Sequence, residues 1–277
     1  MLVSMADVRA AQKVIFKKGS TTYFTSSLFF PPAVQKDVSA LYGFVRVADN
    51  FVDAVPQDAA GFAGFRSRYA AAVSGGASGD PIIDSYVALA RRRRFEPSWT
   101  DAFLDAMEAD LSRVEYDSVE DVLGYIYGSA EVIGLFMARI LDLPEESLRH
   151  ARLLGRAMQY INFIRDIQED LHLGRRYLPL DGTGLTRLDR EHALSQPKQF
   201  RQFIDYHLGL YRGWQQEAEQ GFALIPRLYR IPIRTASDMY AWTGRRIQQD
   251  PWIVFRRKVK PRKTRIVLQA IGNIMAG

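Results

Sequence analysis

The chain has 277 residues, 47% hydrophobic and 25% charged, the make-up of a globular protein with a large core, which excludes a disordered chain. It holds no cysteine and four scattered histidines, so disulfides, thiol catalysis and cysteine-based zinc sites are excluded, and any metal must sit on oxygen ligands. The net charge of +6 suits an anionic partner: nucleic acid, a membrane surface or a phosphorylated small molecule.

Apolar residues recur at helical spacing almost throughout, while Val/Ile/Thr alternation between Asn-Gly or Asp-Gly turns is nearly absent, and the chain reads as all-α. Helices are expected over 4–17, 33–54, 58–74, 80–94, 98–112, 118–142, 145–172, 197–222, 235–249 and 262–275. Pro31-Pro32 opens the second, Ser74 to Gly79 makes a flexible turn, Pro144 starts a helix after Leu143, and Asp181-Gly182-Thr183-Gly184 lies in a loop. No joint is long or polar enough for an interdomain linker, so a single domain over 1–277 is expected. No stretch approaches the roughly 18 apolar residues of a spanning helix, and the start MLVSMADVRAAQK lacks the sections of a signal peptide; the expected location is the cytoplasm.

Two acidic pairs stand out. In GFVRVADNFVD (43–53), Asp49 and Asp53 lie four apart in an apolar helix; in QYINFIRDIQED (159–170), Asp166 and Asp170 repeat the spacing, with Asn162 one turn earlier. Residues four apart share a helix face, so each pair presents two carboxylates side by side, and burying them costs several kcal/mol each unless something compensates. A divalent cation does this best, Mg²⁺ in particular, because it takes oxygen ligands and bridges carboxylates to phosphates. With 31 acidic residues among 277, about three or four such pairs arise by chance, so a single pair reads equally as a solvated face. The repetition, with Arg46 and Arg165 within a turn of each pair, favours a metal-diphosphate site.

Past the second pair, Gly174-Arg175-Arg176-Tyr177-Leu178-Pro179 puts cations after a helix end, where they clamp phosphate oxygens or merely complement the helix dipole. In YIYGSAEVIG (125–134), Gly128 and Gly134 interrupt an apolar helix at about 1 kcal/mol each, a cost that suggests close helix packing or room for an apolar ligand. Arg91-Arg92-Arg93-Arg94 and the tail cations Arg256, Arg257, Lys258, Lys260, Arg262, Lys263 and Arg265 offer a second reading, a non-catalytic helical protein that binds nucleic acid or membrane.

Taken together, DNFVD, YIYGSAEVIG, NFIRDIQED and GRRYLP, in this order and at these separations, resemble the squalene and phytoene synthases, enzymes that join two prenyl diphosphates head to head. The resemblance runs from Ser20-Thr21-Thr22-Tyr23-Phe24 to the basic segment at 254–260. It implies a single α-helical bundle of the isoprenoid synthase type, with a central apolar cavity and the two aspartate motifs facing each other across its mouth. Asp49, Asp53, Asn162, Asp166 and Asp170 are the implied holders of Mg²⁺, with Mn²⁺ as a substitute, and NADPH is needed only if the product is squalene. Implied diphosphate contacts are Arg46, Arg165, Arg175 and Gln159, with Ser20 and Thr22 near the entry. Tyr42, Tyr125 and Tyr240 are implied around the reaction centre, and Tyr23, Ala130 and Ile133 along the prenyl chain. The chain departs from the family at Asn50, where many relatives carry a second aspartate, and at Glu131, where glycine is common; whether Glu131 faces cavity or solvent stays open. The family's terminal arginine corresponds to Arg256, Arg257 or Lys258, Lys258 fitting the following Val259 best. The implied partners are prenyl diphosphates, with peripheral contact to anionic membrane as a further expectation and no nucleic acid.

Overall fold

The computed structural model describes residues 5–275, which form α-helices and, among the described residues, no strand beyond an isolated bridge between Glu115 and Arg176. In chain order the helices are α1 (Met5–Gly19), α2 (Thr21–Ser27), α3 (Pro32–Asp53), α4 (Ala59–Val73), α5 (Pro81–Arg93), α6 (Pro97–Ala109), α7 (Val119–Ile126), α8 (Val132–Ile140), α9 (Ser147–Arg165), α10 (Ile167–His172), α11 (Arg190–Ser195), α12 (Pro197–Gln220), α13 (Arg227–Gln249) and α14 (Lys263–Met275). Local chemistry sets many of the starts. Prolines 32, 81, 97 and 197 occupy first-turn positions where no amide hydrogen is required. Asp58, Asp80, Ser118 and Asp189 accept hydrogen bonds from the free amides of α4, α5, α7 and α11.

Several elements differ from the sequence reading. Ser4, the first residue of the first expected helix, lies outside the described residues; that helix is followed by the separate α2, which Ser20 caps. The expected helix 118–142 is α7 and α8 joined by a π turn over Tyr127–Glu131, and 145–172 is broken at Asp166, whose φ of −100° and ψ of 12° separate α9 from α10. The helix expected from 235 begins at Arg227 and carries Pro232 in its interior. Val119–Ile140, 22 residues with mean hydropathy 1.2, is long and apolar enough to cross a membrane, contrary to the expectation. Val122, Ile126, Val132 and Phe136 are nonetheless packed in the interior, as in a core helix.

α9 packs on α8, α12 and α13, and α3 packs on α1, α4 and α5. Gly134 explains how close α8 and α9 come: a Cβ there would lie 2.1 Å from the Ala151 carbonyl oxygen. Of the two readings of the YIYGSAEVIG glycines, close helix packing holds for both, since a Cβ on Gly128 would likewise meet the Ala102 carbonyl at 2.2 Å, and Gly134 in addition lines the cavity. α3 and α9 both end, carboxylates last, at the same end of the bundle.

Candidate active site

Between α2, α3, α7, α8, α9 and α13 lies a cavity of about 770 Å³. Its walls include every candidate site residue from the sequence: Ser20, Thr22, Tyr23, Tyr42, Arg46, Asp49, Asp53, Tyr125, Ala130, Ile133, Gln159, Asn162, Arg165, Asp166, Asp170, Arg175, Tyr240 and Lys258. The charged groups gather where α3 and α9 end. Toward the start of α9 the lining becomes Met137, Leu141, Leu154, Phe222, Ile225 and Ile233.

The mouth is organised around Arg175. Gly174, at φ +72°, ends α10 in a left-handed turn, and the Arg175 amide donates back to the Asp170 carbonyl at 2.8 Å. The Arg175 side chain, 6% exposed, then crosses to the end of α3: Nη1 donates to Asp53 Oδ1 at 3.1 Å and Nη2 to the Val52 carbonyl at 2.6 Å. Arg46 pairs with Asp49 and lies 3.9 Å from Asp53. On the other side, Arg165 Nε donates to Asp166 Oδ1 at 2.7 Å, and Lys258 Nζ stands 3.2 Å from Asp166 Oδ2 while also pairing with Glu169.

These cations do not fully offset the buried acids. Burial, and then the neighbouring Asp166, pushes the Asp170 carboxyl up to about 8 against the opposing pull of Lys258 and Arg175. Asp49 is pushed well above the carboxylate range by burial first and Asp53 second, with Arg46 and Arg175 opposing. Arg175 therefore acts on both acidic pairs at once. The Oδ1 of Asn162, one turn before Asp166 in the same cavity wall, is buried without a hydrogen-bond partner among the described residues. An all-oxygen donor set, carboxyls short of positive charge and an orphaned amide oxygen fit a hard divalent cation. Among the described residues no three acidic or imidazole groups converge on one point, so water and substrate oxygens would have to complete any coordination shell.

Around the reaction centre, Tyr23 and Tyr240 have ring centroids 5.8 Å apart, and the Tyr42 ring stacks on Phe16 at 4.2 Å, burial pushing its hydroxyl up to about 12. The Tyr125 hydroxyl donates to Asp110 Oδ2 at 2.6 Å, so it is the ring of Tyr125 rather than a free hydroxyl that is available to the cavity. The Ser20 hydroxyl serves as the α2 cap, accepting from the Tyr23 amide at 3.2 Å. Of the three residues weighed for the terminal basic contact, Lys258 lines the mouth, whereas Arg256 pairs with Asp250 away from it.

Sequence reasoning missed Asp110. It is 5% exposed, accepts from Tyr125 and from the Tyr177 hydroxyl at 2.9 Å, and lies in an aromatic wall where Phe163 and Tyr177 stack at 4.2 Å. The signal available was Tyr177 in GRRYLP, whose hydroxyl needs a buried partner. Glu131, left open above, faces neither cavity nor solvent: 1% exposed, it accepts from Arg152 Nε at 2.9 Å and from Arg156 Nε at 2.6 Å. The run Arg91–Arg94 is partly used inside the fold as well, Arg92 and Arg93 both donating to buried Asp37.

The pattern of the squalene/phytoene synthase family matches residues 16–265. The chain is 27% identical to a 15-cis-phytoene synthase of Paracoccus sp., over 97% of this chain and 92% of that one, and 27% identical to a 15-cis-phytoene synthase of Pantoea ananas, over 93% and 89%. Its backbone is similar to a dehydrosqualene synthase crystallised with a ligand (TM-score 0.81, 20% identity, 98% of this chain and 96% of that one) and to a squalene synthase of Alicyclobacillus acidocaldarius (TM-score 0.78, 21% identity, 90% and 97%). The fold is the all-α isoprenoid synthase bundle, and the chain belongs to the squalene/phytoene synthase family of prenyltransferases.

Proposed function

We propose that the protein condenses two prenyl diphosphates head to head through a cyclopropyl diphosphate intermediate, two geranylgeranyl diphosphates giving phytoene. The observation that carries this reading is Arg175, buried between the two acidic pairs at the mouth of a cavity whose far walls are apolar. The names of the curated relatives favour the C20 substrate. Two farnesyl diphosphates giving squalene or dehydrosqualene form the alternative, favoured by the titles of the structural neighbours, and only squalene requires NADPH.

Asp49, Asp53, Asn162, Asp166 and Asp170 would hold Mg²⁺ or Mn²⁺, which when bound supplies positive charge to the departing diphosphate. Arg46, Arg165, Arg175 and Lys258 bind phosphate oxygens, and donors fixed before ionisation stabilise the developing anion without reorganising. The hydroxyl hydrogens of Ser20 and Thr22 are further donors at the entry. The faces of Tyr23, Tyr42, Tyr125 and Tyr240 offer negative π density to an allylic cation. Ala130, Ile133 and their apolar neighbours exclude water, which would otherwise quench that cation.

The test is incubation of the purified protein with Mg²⁺ and either C15 or C20 diphosphate, with and without NADPH, followed by product chromatography. Phytoene from the C20 substrate, independent of NADPH, is the expected result; a C30 product alone selects the alternative, and no prenyl product with diphosphate intact overturns the proposal.

A further inference from the structure

α14 has one face buried and one bare. Ile266, Ala270 and Asn273 point inward, Asn273 Nδ2 donating to Thr235 Oγ1 at 3.2 Å and to Asp238 Oδ2 at 2.8 Å on α13. The outward positions are Val267, Leu268, Ile271, Ile274 and Met275, a helical stripe in which Leu268 is 68% and Met275 83% exposed. The stripe does not end with the helix. Arg227 Nη2 donates to the Ile274 carbonyl at 3.3 Å, which brings the start of α13, with Leu228 55% exposed and Leu224 just before it, beside the end of α14. A contiguous exposed apolar surface of this kind marks an interaction site.

Charge identifies what covers it. From Pro251 to the C-terminus there are seven lysines and arginines and no acidic residue, and Arg262, Lys263 and Arg265 are exposed at the start of α14. Lys263 lies on the same stripe, four residues before Val267 and eight before Ile271. A helix with cations at one end and an apolar outer face is the pattern of a segment lying in the headgroup region of an anionic bilayer.

The position in the fold gives this surface a use. Phe222, Ile225, Pro232 and Ile233, which flank Leu224 and Leu228, line the cavity. Gly221 sits against His150, sixteen residues and about 24 Å of helix before Asp166. The patch therefore runs from the start of α14, where Arg265 lies over the Trp242 ring, to the end of the cavity remote from the aspartates, which Ile274 and Leu228 flank.

We infer that the outer face of α14, with the start of α13, docks the protein onto an anionic lipid bilayer, so that the apolar end of the cavity opens toward lipid while the acidic mouth stays in water. The route it gives to a water-insoluble product rests on the reading above, but the docking itself does not.

The test is co-sedimentation of the full chain with phosphatidylcholine vesicles, with and without phosphatidylglycerol. The protein is expected to pellet with the anionic vesicles and to be released by high salt. Replacing Leu268, Ile271 and Ile274 together by Ser weakens binding at least about tenfold, and Arg262→Gln with Lys263→Gln weakens it by a similar factor. Should the triple variant lose its helical circular dichroism, Leu268→Asp alone, at the more exposed position, gives the same readout. Turnover of prenyl diphosphate in detergent micelles is expected to be unchanged in all of these, so failure of the docking and failure of the proposed chemistry appear in different assays. No sedimentation at low salt overturns the inference, as does sedimentation that neither variant weakens. A stable dimer in light scattering that the triple variant dissolves assigns the face to a second copy and overturns it too, as does salt-sensitive binding to duplex DNA without binding to vesicles.

Discussion

Arg175 and the carboxyls it faces decide whether the mouth works. Asp49→Ala or Asp170→Ala removes a buried, charge-deficient oxygen donor, and diphosphate release is expected to fall at least about a thousandfold while circular dichroism stays native, since each change relieves a burial cost. Arg175→Met leaves the Asp53 carboxylate without its closest cation, while the carbonyls of Val52 and Asp110 keep the Gln57 side-chain amide as a donor. Removing one partner from a buried charge pair costs about 3–5 kcal/mol, and because Asp53 keeps 37% exposure the loss is expected near the lower figure in urea unfolding. At this scale the aspartate pairs could be read from the sequence because both members lie within one helical turn. Asp110 could not, since its tyrosine partners lie 15 and 67 residues away and only the fold brings them to it.

Helix packing, more than helix propensity, shapes the cavity wall. At Gly134 the obstacle to a side chain is a backbone oxygen, which cannot step aside, so Gly134→Ala forces α8 from α9 and is expected to cost about 1–3 kcal/mol in thermal or urea unfolding. Gly124 is the control: a Cβ there meets nothing within 4 Å, and Gly124→Ala on the exposed side of α7 is expected to stabilise by about 0.5–1 kcal/mol. Glu131→Ala strips two arginines of their partner, but Arg152 and Arg156 are 44% and 21% exposed and rehydrate, so its cost is expected below that of Arg175→Met. The helix covering 118–142 was visible in the apolar periodicity, yet the π turn was not, because one extra residue per turn shifts the pattern without interrupting it. The first two turns of α13 had no such signature, and they hold Pro232, a residue that helix interiors ordinarily exclude.

The whole molecule carries its own pH dependence away from the mouth. His207 is fully buried with Nδ1 2.6 Å from the Tyr160 hydroxyl, and burial pulls its pKa down to about 4. The unfolded chain, with an ordinary histidine near 6.5, binds the proton first, so the contribution of His207 to stability is complete above about 6.5 and is lost as pH falls toward 4, by ~3 kcal/mol in all. The difference in unfolding free energy between wild type and His207→Gln is expected to narrow over that interval; a constant difference would contradict the assignment. The helices and the two acidic pairs were legible because each depends on spacing along single helices, whereas their meeting across a cavity mouth was implied by the family resemblance alone. The volume and depth of the cavity, which choose between C15 and C20 substrates, depend on side chains meeting from many helices and had no local signature. The central claim, that the two acidic pairs act together on a diphosphate, is tested most directly by Mg²⁺-dependent diphosphate release from geranylgeranyl diphosphate by wild type, Asp49→Ala and Asp170→Ala. Release by the wild type and its loss in both variants is the predicted result; release at the wild-type rate by either variant would contradict it.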